Sequence, residues 1–296
     1  MRTGKIVAGI TAAALSAMMT SFAAAADDPA GYVSFTAIKS AIGQGFTVEP
    51  VNVPLYEGDK GIDIVKRAVG EDGVALTESD YGAYITGFAD VDTGAEIPAE
   101  IAAVCPEMTG RNTEGYLSAY DYTAESGWSY FVNGEYAQVG IADYEPQDGD
   151  VLEFRYTVYG YGADLGIDNS SWGGAAALVG QVDASQLIRA AADIKQHDEQ
   201  TAKSAAYAGA METLARYGAD QSEIDQSIAA LAEELYAAEP IAAPLEETEQ
   251  SDGQSIADDN STDTKGSPDT GVEGVAVAFG AVILACGAVA VSRKAK

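Results

Sequence analysis

The chain has few residues that could carry out catalysis, and it contains a single histidine. His197 lies in a polar, helical stretch beside Gln196 and Asp198. A zinc cluster or a Ser-His-Asp triad needs a histidine held among further ligands or partners, which this setting does not supply. Carboxylate pairs of the glycosidase kind are uninformative in a chain with 46 acidic residues. We therefore expect a protein that is not an enzyme and has no catalytic residues.

Two closely spaced aspartates, Asp90 and Asp92, are the candidate metal ligands. They belong to the loop-like segment Asp90-Val91-Asp92-Thr93-Gly94, and carboxylate oxygens are the ligands that Ca²⁺ prefers. The segment is not an EF-hand loop, because its glycine stands at another position and no glutamate closes the pattern. We expect no obligatory cofactor, with calcium bound at this segment as the alternative.

Aromatic residues form the candidate ligand-binding set, which consists of Tyr84, Trp128, Tyr130 and Tyr136. Three of them belong to two alternating runs divided by Asn133-Gly134, a pair that favours the type I′ turn of a β-hairpin. Alternation places Trp128 and Tyr130 on the same face of the hairpin. If that face is core, the residues are structural; if it is exposed, they form a platform for a flat ligand or a sugar.

The elements that must position these residues are those of an α+β protein with a small β-rich domain. Short β-branched and aromatic runs separated by Gly, Asn and Asp turns predict strands, and one apolar stripe at helical spacing predicts a single helix. The predicted strands are 46–53, with a break or an edge at Pro50, 84–88, the two runs of the hairpin, and 151–159; the predicted helix is 62–69. The segment 90–126 is a less regular insertion.

A resemblance follows from these motifs. The order Gly127-Trp128 to Gly140, then Asp148-Gly149-Asp150 with its closing strand, together with Gly82-Ala83-Tyr84-Ile85, resembles the bacterial family related to the transcobalamin C-terminal β domain. It covers residues 46–161. The resemblance implies a corrinoid, cobalamin-like ligand, held in that family mainly by a large α/α barrel for which this chain has no room. Capture would then need a partner protein or weaker binding.

A helical module follows the β domain. Residues 162–181, rich in Gly, Ser and Asp, predict a linker after a β domain that spans 27–161 with its core at 46–161. Helical periodicity covers 182–239, where Asp220 and Glu223 form a capping box before the last stripe. The apolar stripes are core or, alternatively, a binding face. Residues 240–266 are acidic and poor in apolar side chains, which predicts a disordered stalk.

The two ends of the chain carry targeting signals. Basic residues, an apolar run and the small residues Ala24 and Ala26 before Asp27 predict a signal peptide over 1–26. At the other end, an apolar transmembrane segment over 274–291 and a basic tail follow the motif Ser267-Pro268-Asp269-Thr270-Gly271. The region 267–296 resembles the LPXTG sorting signal of Gram-positive surface proteins, with Ser267 in place of leucine. A plain C-terminal membrane anchor is the alternative.

Composition limits the partners. The chain has 16 basic and 46 acidic residues and a net charge of −30, which repels nucleic acid and anionic lipid. Of the two cysteines, Cys286 lies in the anchor, so Cys105 is a buried, inert thiol or else a reactive one.

We expect an extracellular protein anchored to the cell wall, with sortase and peptidoglycan as partners and membrane contact only through the uncleaved sorting signal. Its predicted function is non-catalytic binding or adhesion to a host or cell-surface macromolecule, with capture of a corrinoid or other small ligand as the alternative and a spacer without a ligand as a third reading.

Overall fold

The computed structural model describes residues 28–79 and 82–238, which form two β-sheets and a group of C-terminal helices. The strands are β1 Gly31–Ile38, β2 Phe46–Leu55, β3 Val74–Ser79, β4 Gly82–Ala89, β5 Tyr116–Ser118, β6 Gly127–Val132, β7 Glu135–Tyr136 and β8 Val151–Thr157. The helices are α1 Gly61–Val69, α2 Ala99–Val104, α3 Ser185–His197, α4 Ala205–Ala215 and α5 Gln221–Ala238. The α+β class expected from the sequence is confirmed.

The larger sheet has the strand order β2-β1-β8-β6-β7. Strand β1 lies inside it, antiparallel to β2 and parallel to β8. No strand is predicted at β1 from the sequence, although Val33, Phe35 and Ala37 alternate with Ser34 and Thr36 there. Both faces of β1 are covered: Phe35 packs in the core, and Ser34 and Thr36 are buried on the other face.

The smaller antiparallel sheet, β3-β4-β5, faces one side of the larger sheet across an aromatic core. Phe88 of β4 lies 4.9 Å from Trp128 and 5.3 Å from Phe154, ring centre to ring centre, with edge-on geometry at both contacts. Such edge-to-face pairs add a contribution of about 0.5–1.5 kcal/mol each beyond their buried area. These contacts hold the two sheets together.

The helical module covers the opposite face of the larger sheet. Its core joins Leu187 and Ile188 of α3 to Val151 of β8. Polar contacts reinforce the junction: the Asn52 amide donates to the Asp193 carboxylate at 2.5 Å, and the Lys195 ammonium lies 2.6 Å from the Glu49 carboxylate. The apolar stripe is therefore core, and the module belongs to the same packed unit as the β domain.

Several sequence predictions are confirmed as elements, and others need correction. The predicted helix is α1, and Asn133 and Gly134 have φ values of 50° and 82°, as a type I′ turn requires. Strand β2 continues through Pro50, which the sheet tolerates because β2 is an edge strand and the register shifts opposite Thr36. The predicted insertion contains α2 and β5, and β3 was missed.

The stretch 162–181, predicted to be a linker, is ordered. It contains two short 3₁₀ turns, Ala163–Leu165 and Ser170–Trp172, and the side chains of the first turn are buried. Composition alone suggested a linker because Gly and Asp are frequent. In the fold these glycines allow the tight turns, and Gly162 and Gly166 adopt φ values of 105° and 92°.

The predicted signal peptide, stalk and sorting signal, including Ala24, Ala26, Asp27 and the motif from Ser267 to Gly271, lie outside the described residues. Within 28–79 and 82–238, no helix combines the length and the apolar character needed to cross a membrane. The apolar run 274–291 is not part of that range.

Candidate functional site

A cleft of about 510 Å³ opens between the two sheets. It is lined from one side by residues 82–85 of β4 and Thr77 of β3, and from the other by β6, β7 and the loop 137–141. All four aromatic residues proposed from the sequence, Tyr84, Trp128, Tyr130 and Tyr136, line it. The volume falls within the range of about 300–1,000 Å³ typical of small-molecule sites.

Trp128 is both a core residue and part of the cleft wall. Its side chain is buried, its indole Nε1 donates to the Leu117 carbonyl at 2.9 Å, and its ring packs edge-on against Tyr156 at 5.2 Å. Trp128 is therefore a core residue, whereas Tyr130 on the same face is only half-buried. Only part of the indole is left to meet a ligand, so Trp128 acts as a fixed floor.

The tyrosines supply the accessible aromatic surface. Tyr130 stacks on Phe154 with ring centres 5.5 Å apart and planes 20° from parallel, and its hydroxyl donates to the Val139 carbonyl. Tyr136 is 39% exposed and Tyr84 is 49% exposed. The Tyr84 hydroxyl lies 3.4 Å from the position that a Cβ would occupy at Gly127, which is ordinary contact distance. Strands β4 and β6, which are far apart in the sequence, are thus neighbours at the cleft.

The phenols of Tyr84 and Tyr130 have raised pKa values and stay protonated at neutral pH. Burial, with smaller contributions from Tyr136 and Asp143, raises the pKa of Tyr130 to about 12. Burial, followed by the neighbouring Tyr120 and Tyr136, also raises the pKa of Tyr84. A neutral phenol can donate a hydrogen bond and presents an electron-rich ring face.

The loop 137–141 was not predicted to belong to the site, and long-range contacts hold it in place. The backbone amides of Gly61 and Ile62, at the start of α1, donate to the carbonyls of Tyr144 and Ile141 at 2.9 and 3.1 Å. A Cβ at Gly61 would lie 2.6 Å from the Ile141 side chain, which is why the helix begins with glycine. The only sequence signal for this loop is its position directly after the hairpin.

Buried Asp150 ties this loop to the hairpin turn. Its carboxylate accepts hydrogen bonds from the Tyr144 hydroxyl at 2.5 Å and from the Asn133 amide at 2.8 Å. The Tyr144 pKa is raised, first by burial and then by this carboxylate. The Asp148-Gly149-Asp150 motif therefore sets the geometry of one wall of the cleft.

The walls of the cleft are mostly aromatic and aliphatic. Its lining residues supply aromatic and aliphatic surface with a few amide and hydroxyl groups, and none of those that the structure describes is charged. Ligands suited to such walls have a largely apolar surface.

The predicted metal ligands have other partners. Both Asp90 carboxylate oxygens accept from the Lys39 ammonium, at 2.7 and 2.8 Å, and one also accepts from Arg111 at 2.6 Å. Asp92 is half-exposed and caps the Gly94 amide at 3.0 Å. Among the described residues no group of three or more His, Cys, Asp and Glu side chains is arranged to hold a metal ion. Two cations occupy the positions where a Ca²⁺ would need free oxygens of Asp90.

The other candidate features are the single histidine, the cysteine of the described part of the chain, and a smaller cavity. His197 is exposed in the last turn of α3. Cys105 is partly buried, and burial, together with the acidic side chains of Glu125 and Asp164, raises the pKa of its thiol. A second cavity, of about 60 Å³, lies between the larger sheet and the helices, a size that suits ordered water.

Comparison with known families gives one match. Residues 113–158 match the family described as a domain of unknown function, DUF4430. The matched segment contains β5 to β8 and hence three of the four aromatic residues of the cleft; Tyr84 lies outside it. No curated protein matches the sequence.

Two solved structures are similar to part of the chain. The crystal structure of haptocorrin in complex with Cbi shares 17% identity over 44% of this chain and 25% of that chain, with a TM-score of 0.27. A candidate metal-binding protein from Ruminococcus gnavus shares 14% identity over 43% of this chain and 96% of that chain, with a TM-score of 0.26. The chain thus corresponds to about a quarter of the haptocorrin chain.

Proposed function

We propose that this chain is a non-catalytic binding protein whose β domain holds a small ligand with a largely apolar surface in the cleft between its two sheets. The observation that carries the proposal is the convergence of Tyr84 with Trp128, Tyr130 and Tyr136 on one cleft of about 510 Å³. If the protein bound no ligand, closer packing of the two sheets would bury these aromatic rings. An open cleft lined by aromatic rings therefore favours ligand binding.

The walls of the cleft are fixed before any ligand arrives. Trp128 is anchored by its hydrogen bond to Leu117, and the loop 137–141 is anchored by α1 and Asp150. Binding to a preformed site avoids much of the cost of ordering side chains and loops. This supports recognition by shape and apolar contact.

A titration with the neutral, environment-sensitive dye N-phenyl-1-naphthylamine tests the proposal. We expect saturable fluorescence enhancement that weakens about tenfold, or about 1.4 kcal/mol, in Tyr136→Ala and in Tyr84→Ala. Tyr32→Ala is the matched control, because Tyr32 is 43% exposed and does not line the cleft. No saturation, or equal loss in the control, would refute the proposal, provided that circular dichroism shows all variants folded.

A corrinoid is a specific candidate for the ligand, implied by the resemblance to the transcobalamin C-terminal β domain. A whole corrinoid is larger than the cleft, so only one edge of it could enter, and the rest would need a partner protein. Competition of cyanocobalamin against the dye tests this candidate. Displacement at micromolar concentrations would support it, and unchanged dye fluorescence would leave only smaller ligands.

We further propose that the protein acts outside the cell, anchored to the wall of a Gram-positive bacterium through Thr270. The supporting observation is the order of motif, apolar run and basic tail over 267–296. In a sortase-positive host, Thr270→Ala should move the protein from the cell-wall fraction to the membrane fraction. Unchanged wall attachment would refute sortase anchoring. The adhesion role predicted from the sequence stays a prediction.

A further inference from the structure

The chemistry of the cleft walls narrows the class of ligand. Tyr84 and Tyr136, which line the cleft, are 49% and 39% exposed, and Tyr130 is half-buried with one ring face on Phe154. Among the described residues none of those lining the cleft is charged. Aromatic ring faces carry partial negative charge and attract cations, most strongly when water is excluded. A neutral apolar ligand would bury its surface against these walls but would make no cation–π interaction with the rings.

Acidic groups lie close to the cleft among the described residues. The Asp143 carboxylate lies 3.8 Å from the position of a Cβ at Gly140, which lines the cleft, and it contributes to the raised pKa of Tyr130. Glu135, next to Tyr136, is exposed. Lys60, directly before α1, pairs with Glu145 at 2.6 Å. The net charge of −30 adds a field of the same sign.

From these observations we infer that the cleft takes an organic cation, of the methylated ammonium class, seated against Tyr84, Tyr130 and Tyr136. The inference rests on the proposed function and adds the charge of the ligand to it. An inorganic cation would not fit the walls, because they offer few oxygen ligands and mostly apolar surface. A soft, weakly hydrated cation can exchange water for ring faces at little cost.

The experiment compares choline with 3,3-dimethylbutan-1-ol, which has the same shape but a carbon in place of the charged nitrogen. Trp128 is the reporter: the chain has two tryptophans, and Trp172→Phe removes the other, which is 90% exposed and does not line the cleft. Both ligands are titrated into the full chain at constant ionic strength. We expect choline to bind at least tenfold more tightly than the alcohol.

Variants separate the ring contribution from general apolar contact. Tyr136→Leu should weaken choline binding about tenfold and change binding of the alcohol little, whereas Tyr136→Phe, which keeps the ring, should retain the preference. Tyr32→Leu serves as the control with similar exposure outside the cleft. Far-ultraviolet circular dichroism establishes that each variant is folded.

The outcomes are distinguishable. Equal affinities, or tighter binding of the alcohol, would overturn the cation inference and leave the proposed function standing. Saturable binding of the neutral dye with no response to choline would do the same. If dye, choline and alcohol all fail to bind, the proposed function falls together with the inference.

Discussion

The ion pairs of Asp90 provide a prediction that also decides between a structural and a metal-binding role for this residue. Asp90 and Lys39 have side chains 6% exposed, and Arg111 is 8% exposed. Replacing Asp90 by Asn removes the charge and leaves two buried cations without their partner. Breaking a buried pair in this way costs roughly 3–5 kcal/mol. We therefore expect Asp90→Asn to lower the free energy of unfolding by about that amount.

The assay is urea denaturation at neutral pH, carried out with calcium and with a chelator. Asp92→Asn is the matched control, because Asp92 is 51% exposed, and its replacement should cost less than about 1 kcal/mol. Combining Asp90→Asn with Lys39→Met should recover part of the loss, which a double-mutant cycle quantifies. Calcium should stabilise none of these proteins.

Two results would refute this reasoning. A cost below about 1 kcal/mol for Asp90→Asn would mean that the pairs contribute little. Stabilisation of the wild type, but not of Asp90→Asn, by calcium would mean that Asp90 binds the metal, since a ligand that binds only the folded state stabilises it.

Three further predictions concern stability. Trp128→Phe should lower the free energy of unfolding by about 1–3 kcal/mol, because the buried Leu117 carbonyl loses its donor, and a loss within error in urea denaturation would contradict this. Burial raises the pKa of Asp164 to about 6 from 3.8, so the folded state binds the proton more tightly; the resulting stabilisation, roughly 3 kcal/mol, should be complete below pH 3.8 and be lost as the pH rises to about 6. The difference in unfolding free energy between wild type and Asp164→Asn should follow this course, and a flat difference would argue against it. Leu187→Ala should cost about 2–5 kcal/mol and shift a single transition reported by both tryptophan fluorescence and circular dichroism, because the helices share a core with β8; separate transitions would show that the module unfolds alone.

Patterns that depend on neighbours in sequence were read correctly. The hairpin followed from Asn133-Gly134 and the alternation around it. Helix α5 begins with the predicted capping box, in which the Glu223 amide donates to the Asp220 carboxylate at 2.9 Å and the Asp220 amide donates to Glu223 at 3.0 Å. These signals are local because backbone dihedral preferences and caps involve residues within one turn of each other.

Features that depend on contacts between residues far apart in the chain could not be predicted from the sequence. Strand β1 lies inside the larger sheet only because it pairs in parallel with β8, far along the chain. The ion pairs of Asp90 involve Lys39 and Arg111, which no spacing rule connects to it. The composition of 162–181 predicts a linker, but tertiary contacts bury its first turn and order the segment.

The sequence by itself determined the class of the fold, the helix and hairpin that build the β domain, and the four aromatic residues with a capacity for ligand contact. Only the tertiary structure decided that Tyr84 meets the hairpin across a cleft, that Trp128 forms its floor, and that the loop 137–141 closes one wall. The reason is physical: residue type and periodicity fix which side chains can be buried. Which buried or half-buried surfaces then face each other depends on strand order and sheet packing, which arise from contacts between residues far apart in the chain.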